Sequence, residues 1–319
     1  MRTRRIGIDA KAGPLLDDVR AELAYYQACG FDVVELSVHD LDVVLNGRLH
    51  VARFEAVVSL VREFDLEYTV HAPDRLNLAF CDDRELEKDV FAASLELCAR
   101  VHAPLMVYHS GLSAFDWLRL QGPGAEWPSE EIMARAREAE SEALQALMPL
   151  AARHGVTVAM ENSNYSGFEL PLLHRAGRPA SALAQYFPSL FPLELAAQVA
   201  EVHHSNLGLT LDIAHLYTAA RPCGLDYLAT IKAVAPSVCH MHVDDNFGRP
   251  DGPYQGPRER NTHGEGDLHM PPGWGTIPFA DVFAQLPDYA GVVLLEIKDR
   301  YKPYYTEARQ LIEGYLREG

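Results

Sequence analysis

The strongest constraint on the fold is a recurring pattern, an apolar run that ends on an acidic residue or a histidine. The run at 207–215, LGLTLDIAH, is apolar up to Asp212, as expected of a strand buried on both faces. Similar runs end on Glu161, His242 and Glu296. Ionised carboxylates are almost never buried without a partner or a metal. Several strands that present such groups at one end are typical of the catalytic face of a parallel barrel.

Strand-like and helix-like patterns alternate along the whole chain. Eight apolar runs predict strands, beginning near residues 5, 31, 66, 104, 156, 207, 237 and 291, and a segment of helical periodicity follows each. This alternation predicts a parallel sheet, and eight units favour closure into a barrel over an open sheet. No G-x-G-x-x-G dinucleotide fingerprint occurs. We expect one α/β domain over residues 1–319, a single (β/α)₈ TIM barrel with long loops at the C-terminal face of its strands.

Three connections that follow strands are long, at 110–128, 162–191 and 244–276. Loops of this length in a compact domain are usually functional or disordered. The third is rich in glycine and proline and contains Arg258, Arg260 and Trp274. We expect it to form a lid over the mouth of the barrel.

The composition narrows the class of partner. The formal net charge of −17 opposes non-specific binding to nucleic acid or to an anionic membrane. The five cysteines are scattered without a C-x-x-C pair, which fits reduced thiols, and neither a secretory apolar segment nor a membrane span is evident. We expect a cytoplasmic protein that binds a small-molecule carbohydrate and binds neither nucleic acid nor a membrane. Whether the protein forms a homo-oligomer is left open.

Three carboxylates and one imidazole form a candidate metal site. Taken singly, Glu161, Asp212 and Glu296 fit structural ion pairs as well as metal ligands. Together in a barrel mouth they would repel one another, and a divalent cation removes that repulsion. His240 and His242 face the same side of a strand, and His242 is nearer its C-terminal end, which makes it the better ligand. Without thiolates, the set favours Mn²⁺, Mg²⁺ or Co²⁺ over a structural Zn²⁺.

An ordered series of short motifs runs through the barrel: HAP at 71, HSG at 109, ENS at 161, LDIAH at 211, HMHVDDN at 240, GEG at 264 and LEIK at 295. Together they resemble the sugar phosphate isomerase/epimerase family of the xylose isomerase-like TIM-barrel superfamily, which includes the ketose 3-epimerases. The resemblance implies one divalent metal, Mn²⁺ before Mg²⁺, Co²⁺ or Zn²⁺, bound by Glu161, Asp212, His242 and Glu296. It implies that the two glutamates are catalytic and move a proton on the carbon beside a carbonyl. It also implies that His215 contacts substrate hydroxyls.

The expected activity is isomerisation or epimerisation of a sugar or sugar-like ketone, by proton transfer through an enediolate. A Lewis-acidic metal stabilises the developing oxyanion, and a positioned general base adds a factor of about 10²–10⁴. Proton transfer on both faces gives epimerisation, whereas one carboxylate that shuttles the proton between neighbouring carbons gives isomerisation. A lyase that acts on an oxidised (keto) glycoside uses the same enolising site and is an alternative.

The motifs resemble the endonuclease IV type of apurinic endonuclease more distantly. His71 and His109 match two zinc ligands of that family, with Glu161 bridging to a second metal. Arg258 and Arg260 align where that family has an Asp-x-His pair for a third metal, and guanidinium groups suit an anionic or hydroxyl-rich ligand instead. With the negative net charge, this disfavours phosphodiester hydrolysis.

The remaining candidates for substrate contact come from strand ends and loops. They are His71, His109, Arg258, Arg260, Lys298 and Trp274. Each has a structural alternative: solvated loop charge for the arginines, a salt bridge at the rim for Lys298, and packing of the lid for Trp274.

Overall fold

A computed structural model describes residues 5–11, 13, 15–251 and 259–318. Eight parallel strands close into a barrel in the order β1-β2-β5-β6-β7-β8-β9-β10, and β3 and β4 form a separate antiparallel hairpin. The strands are β1 Arg5–Asp9, β2 Val33–Ser37, β3 Val44–Leu45, β4 Arg48–Leu49, β5 Glu67–His71, β6 Leu105–His109, β7 Thr157–Glu161, β8 Leu207–Asp212, β9 Val238–Val243 and β10 Val292–Leu295. The predicted fold class is confirmed.

Helices surround the barrel and also occupy its long loops. In the described part of the chain they are α1 Leu16–Ala28, α2 Val51–Val61, α3 Arg84–Val101, α4 Ala114–Gln121, α5 Glu130–His154, α6 Glu169–Arg175, α7 Leu183–Tyr186, α8 Pro192–Val202, α9 Ile213–Cys223, α10 Tyr227–Val234, α11 Arg260–His263, α12 Phe279–Ala284 and α13 Tyr305–Glu318. Four short 3₁₀ helices add to them: Ala180–Ala182, Pro188–Leu190, Ala235–Ser237 and Asp299–Tyr304. Of the described helices, none has both the length and the apolar character that crossing a bilayer requires.

The barrel closes where β10 pairs with β1, in register from Arg5 with Val292 to Ile8 with Leu295. Ile8 and Leu295 are fully buried, and so are apolar residues of the other barrel strands. Burial of such a side chain contributes roughly 1.5–3 kcal/mol, so this apolar layer is a main source of stability. Because all eight strands run in one direction, their C-terminal residues meet at one rim, which is where the predicted site residues lie.

The run at 207–215 differs from the prediction of a continuous strand. The strand ends at Asp212 and helix α9 starts at the next residue. The Oδ1 atom of Asp212 accepts the backbone N–H of His215 at 2.6 Å, which is the N-cap interaction that aspartate favours. His215 therefore lies in the first turn of a helix, where the cap fixes its position relative to Asp212.

A buried glutamate ties three elements together below the rim. Glu140 on α5 has no exposed surface, and its carboxylate accepts four hydrogen bonds of 2.8–3.2 Å. The donors are the hydroxyls of Tyr108 and Ser110, the backbone N–H of Gly111 and the side-chain amide of Gln198 on α8. Burial raises the pKa of Glu140, although all four hydrogen bonds oppose that shift. The network fixes the loop that follows β6.

We predict that Glu140→Ala lowers the free energy of unfolding by on the order of 3 kcal/mol, because it leaves several buried donors without an acceptor. Chemical denaturation measures this change. Glu138, two residues earlier on the exposed face of the same helix, provides the control. The free energy of unfolding of Glu138→Ala should stay within about 0.5 kcal/mol of that of the parent. Equal stability of the two variants would contradict the structural role of the network.

Candidate active site

The four residues predicted as metal ligands converge at the rim. Glu161, Asp212, His242 and Glu296 each offer one ligand atom, and these four atoms lie within 4.8 Å of one another. The Nδ1 atom of His242 lies 3.0 Å from Oε1 of Glu161 and 3.2 Å from Oε2 of Glu296. The Glu296 side chain is 20% exposed and the others are buried. The group therefore faces solvent through Glu296.

Asp212 shows that this group suits a cation. Its Oδ2 atom is buried and accepts no hydrogen bond from the described residues, whereas Oδ1 is used by the helix cap. Burial raises the pKa of Asp212 to about 7, with His215 opposing the shift and Glu161 and Glu296 adding to it. An unpaired buried carboxylate oxygen is costly, and a divalent cation among these oxygens would offset that cost. Three carboxylates and one imidazole fit Mn²⁺, Mg²⁺, Co²⁺ or Zn²⁺.

His242 is held from behind by Glu35, which the sequence analysis missed. The Nε2 atom of His242 lies 2.9 Å from Oε1 of Glu35. The other Glu35 oxygen accepts a hydrogen bond from Thr69 at 2.8 Å and lies 3.1 Å from Nε2 of His240. Because Nε2 of His242 is directed to Glu35, Nδ1 is the atom that faces the other carboxylates. Burial would raise the pKa of Glu35, but His242 and His240 hold it well below its usual range.

His71 and His109 surround the other oxygen of Glu161. The Nε2 atom of His109 donates to Oε2 of Glu161 at 2.8 Å, and Nε2 of His71 lies 3.4 Å from the same oxygen. Burial would lower the pKa of His71, but Glu161 raises it to about 10. These three residues form a second group able to hold a metal ion. Two of the three histidines that were predicted to contact substrate, His71 and His109, thus contact Glu161 directly.

A third such group consists of His215, Asp267 and His269. The Nε2 atom of His215 lies 3.3 Å from Oδ2 of Asp267, and Nδ1 of His269 donates to the carbonyl of Glu296 at 2.9 Å. His269 has a φ of +46°, a left-handed conformation that is strained for histidine and that is found at functional sites.

The sequence analysis did not assign Asp267 and His269, although a signal was present. An Asp-x-His pair, Asp267 and His269, directly follows GEG, nine residues after Arg258 and Arg260. The structure brings Asp267 and His269 to the rim beside His215.

Other predicted substrate contacts lie outside these three groups. Arg260 pairs with Asp251, and Nζ of Lys298 donates to the carbonyl of Asp267 at 3.2 Å. The Trp274 ring packs edge-on against two tyrosines, Tyr301 and Tyr304. Only the packing of Trp274 is the structural alternative considered above, since Arg260 forms an ion pair and Lys298 donates to a backbone carbonyl. Arg258 is outside the described residues.

The model of a known family matches residues 23–318, and its description is a xylose isomerase-like TIM barrel. The chain belongs to this family. An uncharacterized protein of Methanocaldococcus jannaschii is 22% identical over 296 residues, 88% of this chain and 83% of that protein. The xylose isomerase-like family was the resemblance that the ordered motifs indicated, and it is confirmed.

Solved structures of this xylose isomerase-like fold cover nearly the whole chain. A D-tagatose 3-epimerase-like protein has a TM-score of 0.68 at 19% identity, covering 98% of this chain and 97% of its own. The 3-keto-D-glucoside 4-epimerase of E. coli has a TM-score of 0.64 at 18% identity, covering 99% and 100%. The IolI protein with a bound zinc atom has a TM-score of 0.62 at 15% identity, covering 98% and 97%.

We predict that Asp212→Asn abolishes most of the stabilisation that a divalent cation gives. Asparagine caps a helix as well as aspartate, so the fold should persist while the anionic oxygen is lost. Saturating MnCl₂ should raise the Tm of the metal-stripped parent by about 5 °C and that of the variant by much less. Asp65→Asn, exposed at the opposite end of the barrel, should respond as the parent does. The same Tm rise in Asp212→Asn would exclude Asp212 as a ligand.

We predict that Glu35→Gln weakens Mn²⁺ binding by about 10–100-fold, because it removes the negative charge that lies 2.9 Å from Nε2 of His242. Isothermal titration calorimetry on metal-stripped protein measures the affinity. The control is Glu67→Gln on the neighbouring strand, whose side chain is 57% exposed and pairs with Arg5. Its affinity should match the parent. An unchanged affinity in Glu35→Gln would show that Glu35 does not orient the ligand.

Proposed function

We propose that the chain is a divalent-metal-dependent isomerase or epimerase of a sugar or sugar-like ketone. The observation that carries this proposal is the approach of Glu161 and Glu296 to the same nitrogen of His242, beside the Asp212 oxygen that accepts no hydrogen bond from the described residues. Two carboxylates next to a cation site are the groups that proton transfer beside a carbonyl requires. The structural likeness to proteins named as sugar epimerases supports the same reaction class.

In this proposal Glu161, Asp212, His242 and Glu296 hold the metal, with Mn²⁺ as the first candidate and Mg²⁺, Co²⁺ and Zn²⁺ as alternatives. The zinc in the similar IolI structure supports a metal at this rim. When bound, the ion supplies Lewis-acid stabilisation of the negative charge that develops on the substrate carbonyl oxygen.

The two glutamates are the proposed proton carriers. Burial raises the pKa of Glu161, but His242 and His109 lower it well below its usual range. Burial likewise opposes ionisation of Glu296, and His269 and His242 lower its pKa. Both groups are therefore kept as carboxylates, the form that accepts a proton from carbon. Epimerisation follows when they act on opposite faces, and isomerisation when one transfers the proton between adjacent carbons.

The surrounding histidines orient the substrate in this scheme. His71 and His109 are fixed by Glu161, and His215 is fixed by the carbonyl of Asn162 at 2.8 Å. The Nδ1 atom of His71 also contacts the carbonyl of Ala72 at 2.7 Å, and Nε2 of His215 lies 3.3 Å from Asp267, so these contacts set the direction of both rings. His269, from the loop after β9, lies at this face and donates to the carbonyl of Glu296.

A second candidate, phosphodiester hydrolysis, is favoured by one observation, the third group of His215, Asp267 and His269. Three neighbouring cation sites would suit attack on a phosphodiester. The net charge of −17 opposes it. An abasic-site DNA duplex at low salt tests this candidate, and absence of both binding and cleavage eliminates it.

We predict that Glu161→Gln and Glu296→Gln each abolish deuterium uptake from heavy water by a ketose, because the amide cannot accept the carbon-bound proton. NMR follows the exchange across a panel of ketoses with Mn²⁺-loaded protein. The loss should exceed about 10²-fold in each variant.

The exposed Glu138→Gln on α5 is the matched control and should exchange at the parent rate. Circular dichroism should show that all variants fold. Exchange at the parent rate in both active-site variants would overturn the catalytic assignment.

A further inference from the structure

The residue after Glu161, Asn162, joins the ends of β7 and β8 through its side chain. The backbone pairing of these two strands ends at Glu161 with Thr210, where β7 also ends. Beyond that point the Nδ2 atom of Asn162 donates to the carbonyl of Asp212 at 2.9 Å, and its Oδ1 atom accepts the backbone N–H of Asp212 at 3.0 Å. One side-chain amide thus replaces the backbone partner that β7 no longer provides.

The backbone of Asn162 holds the first turn of helix α9 as well. Its carbonyl accepts a hydrogen bond from Nδ1 of His215 at 2.8 Å. Asp212 is the N-cap residue of the same helix and accepts the backbone N–H of His215. Asn162 is therefore bonded to a candidate metal ligand and to a candidate substrate contact, and it directly follows the candidate catalytic residue Glu161 in the chain.

Burial fixes the geometry of these contacts. Asn162 is 1% exposed, and Asp212 has no exposed surface. The three hydrogen bonds have normal N–H···O distances, and a buried amide without partners is costly, so the Asn162 side chain is held in one orientation. Glu161 and Asp212 carry like charges that repel each other. Their separation is therefore set by the connection through Asn162 rather than by an attraction between the two carboxylates.

We propose that Asn162 is a positioning residue that sets the placement of Asp212 and His215 relative to Glu161. Its side-chain amide and its carbonyl are engaged by the junction of β8 and α9, so it acts through its neighbours. Ligand groups that are held by such partners bind a metal more tightly, because their geometry is fixed before the ion enters. The consequence for metal binding rests on the proposed function, whereas the placement of His215 does not.

The first test is the Mn²⁺ affinity of metal-stripped Asn162→Ala, measured by isothermal titration calorimetry. The variant loses both hydrogen bonds to the Asp212 backbone, so we expect Mn²⁺ to bind about 10–100-fold more weakly than to the parent. Asn162→Ser leaves a hydroxyl beside the same backbone groups and should show a smaller loss. It also serves as the second variant if Asn162→Ala does not fold.

The matched control is Asn206→Ala, which separates positioning from a general loss of stability. Asn206 directly precedes β8, and its side-chain amide donates to the carbonyl of Val156, directly before β7, at 3.0 Å. It therefore joins the same two strands at the end of the barrel opposite to the rim. Both variants should lower the Tm, but only Asn162→Ala should weaken Mn²⁺ binding. An unchanged affinity in Asn162→Ala, or an equal loss in Asn206→Ala, would overturn the proposal.

NMR of isotope-labelled histidines in the metal-free protein gives a readout that does not depend on the proposed function. The imidazole signals of His215, assigned by their disappearance in His215→Gln, should shift in Asn162→Ala and stay unchanged in Asn206→Ala. If the parent binds no Mn²⁺ but the His215 signals shift in this way, the proposed metal dependence fails and the positioning role stands. If the parent binds Mn²⁺ and Asn162→Ala changes neither the affinity nor the His215 signals, the metal site stands and the positioning role fails.

Discussion

Burial of carboxylates at one rim is the constraint on which the site depends. Glu161 is 1% exposed, and imidazoles of three different strands contact its two oxygens. Such burial is tolerated only when the charge is compensated, and histidines do this only in part. Asp212, whose Oδ2 atom accepts no hydrogen bond from the described residues, belongs to the same group. A divalent cation would compensate both the buried charge of Glu161 and the Asp212 oxygen. The proposed metal-dependent chemistry therefore uses the same cation that burial of these carboxylates calls for.

Asp212 links the fold to the site in a second way. One carboxylate oxygen caps helix α9 and the other lies in the group with Glu161. The cap fixes the aspartate rotamer and also fixes the first turn, which carries His215. Positioning of a candidate ligand and of a candidate substrate contact therefore comes from a single strand-to-helix junction. This shared junction explains why apolar residues, a carboxylate and a histidine occur so close together in the run at 207–215.

The sequence predicted the barrel and the convergence of its strand ends because both depend on local periodicity. Apolar runs with polar ends identify strands and their C-terminal faces, and this placed Glu161, Asp212, His242 and Glu296 together. Glu35 was missed because the sequence of its strand, VVELS, does not show that the glutamate is buried and faces inward to His242. That information depends on how the barrel closes, which brings β2 close to β9 although the two strands do not pair.

The loop residues were harder to predict for a related reason. Asp267 and His269 reach the rim through an irregular backbone, and the sequence does not show that His269 adopts a positive φ of +46°. Arg260 and Trp274 have the residue types expected of substrate contacts, yet they contact Asp251 and a pair of tyrosines. In loops the side-chain direction is set by tertiary contacts rather than by a repeating period.

The anchoring of the loop at 244–276 determines which of its residues can act at the site. Asp245 accepts hydrogen bonds from the backbone of Gly273, Gly275 and Ile277 at 2.8–3.2 Å. Lys298 holds the carbonyl of Asp267 from the other side. The part of the loop that carries His269 is thus braced at both ends, so the strain at His269 is supported by the surrounding hydrogen bonds. In the proposed function, this braced wall would hold the reacting carbons of the substrate toward Glu161 and Glu296.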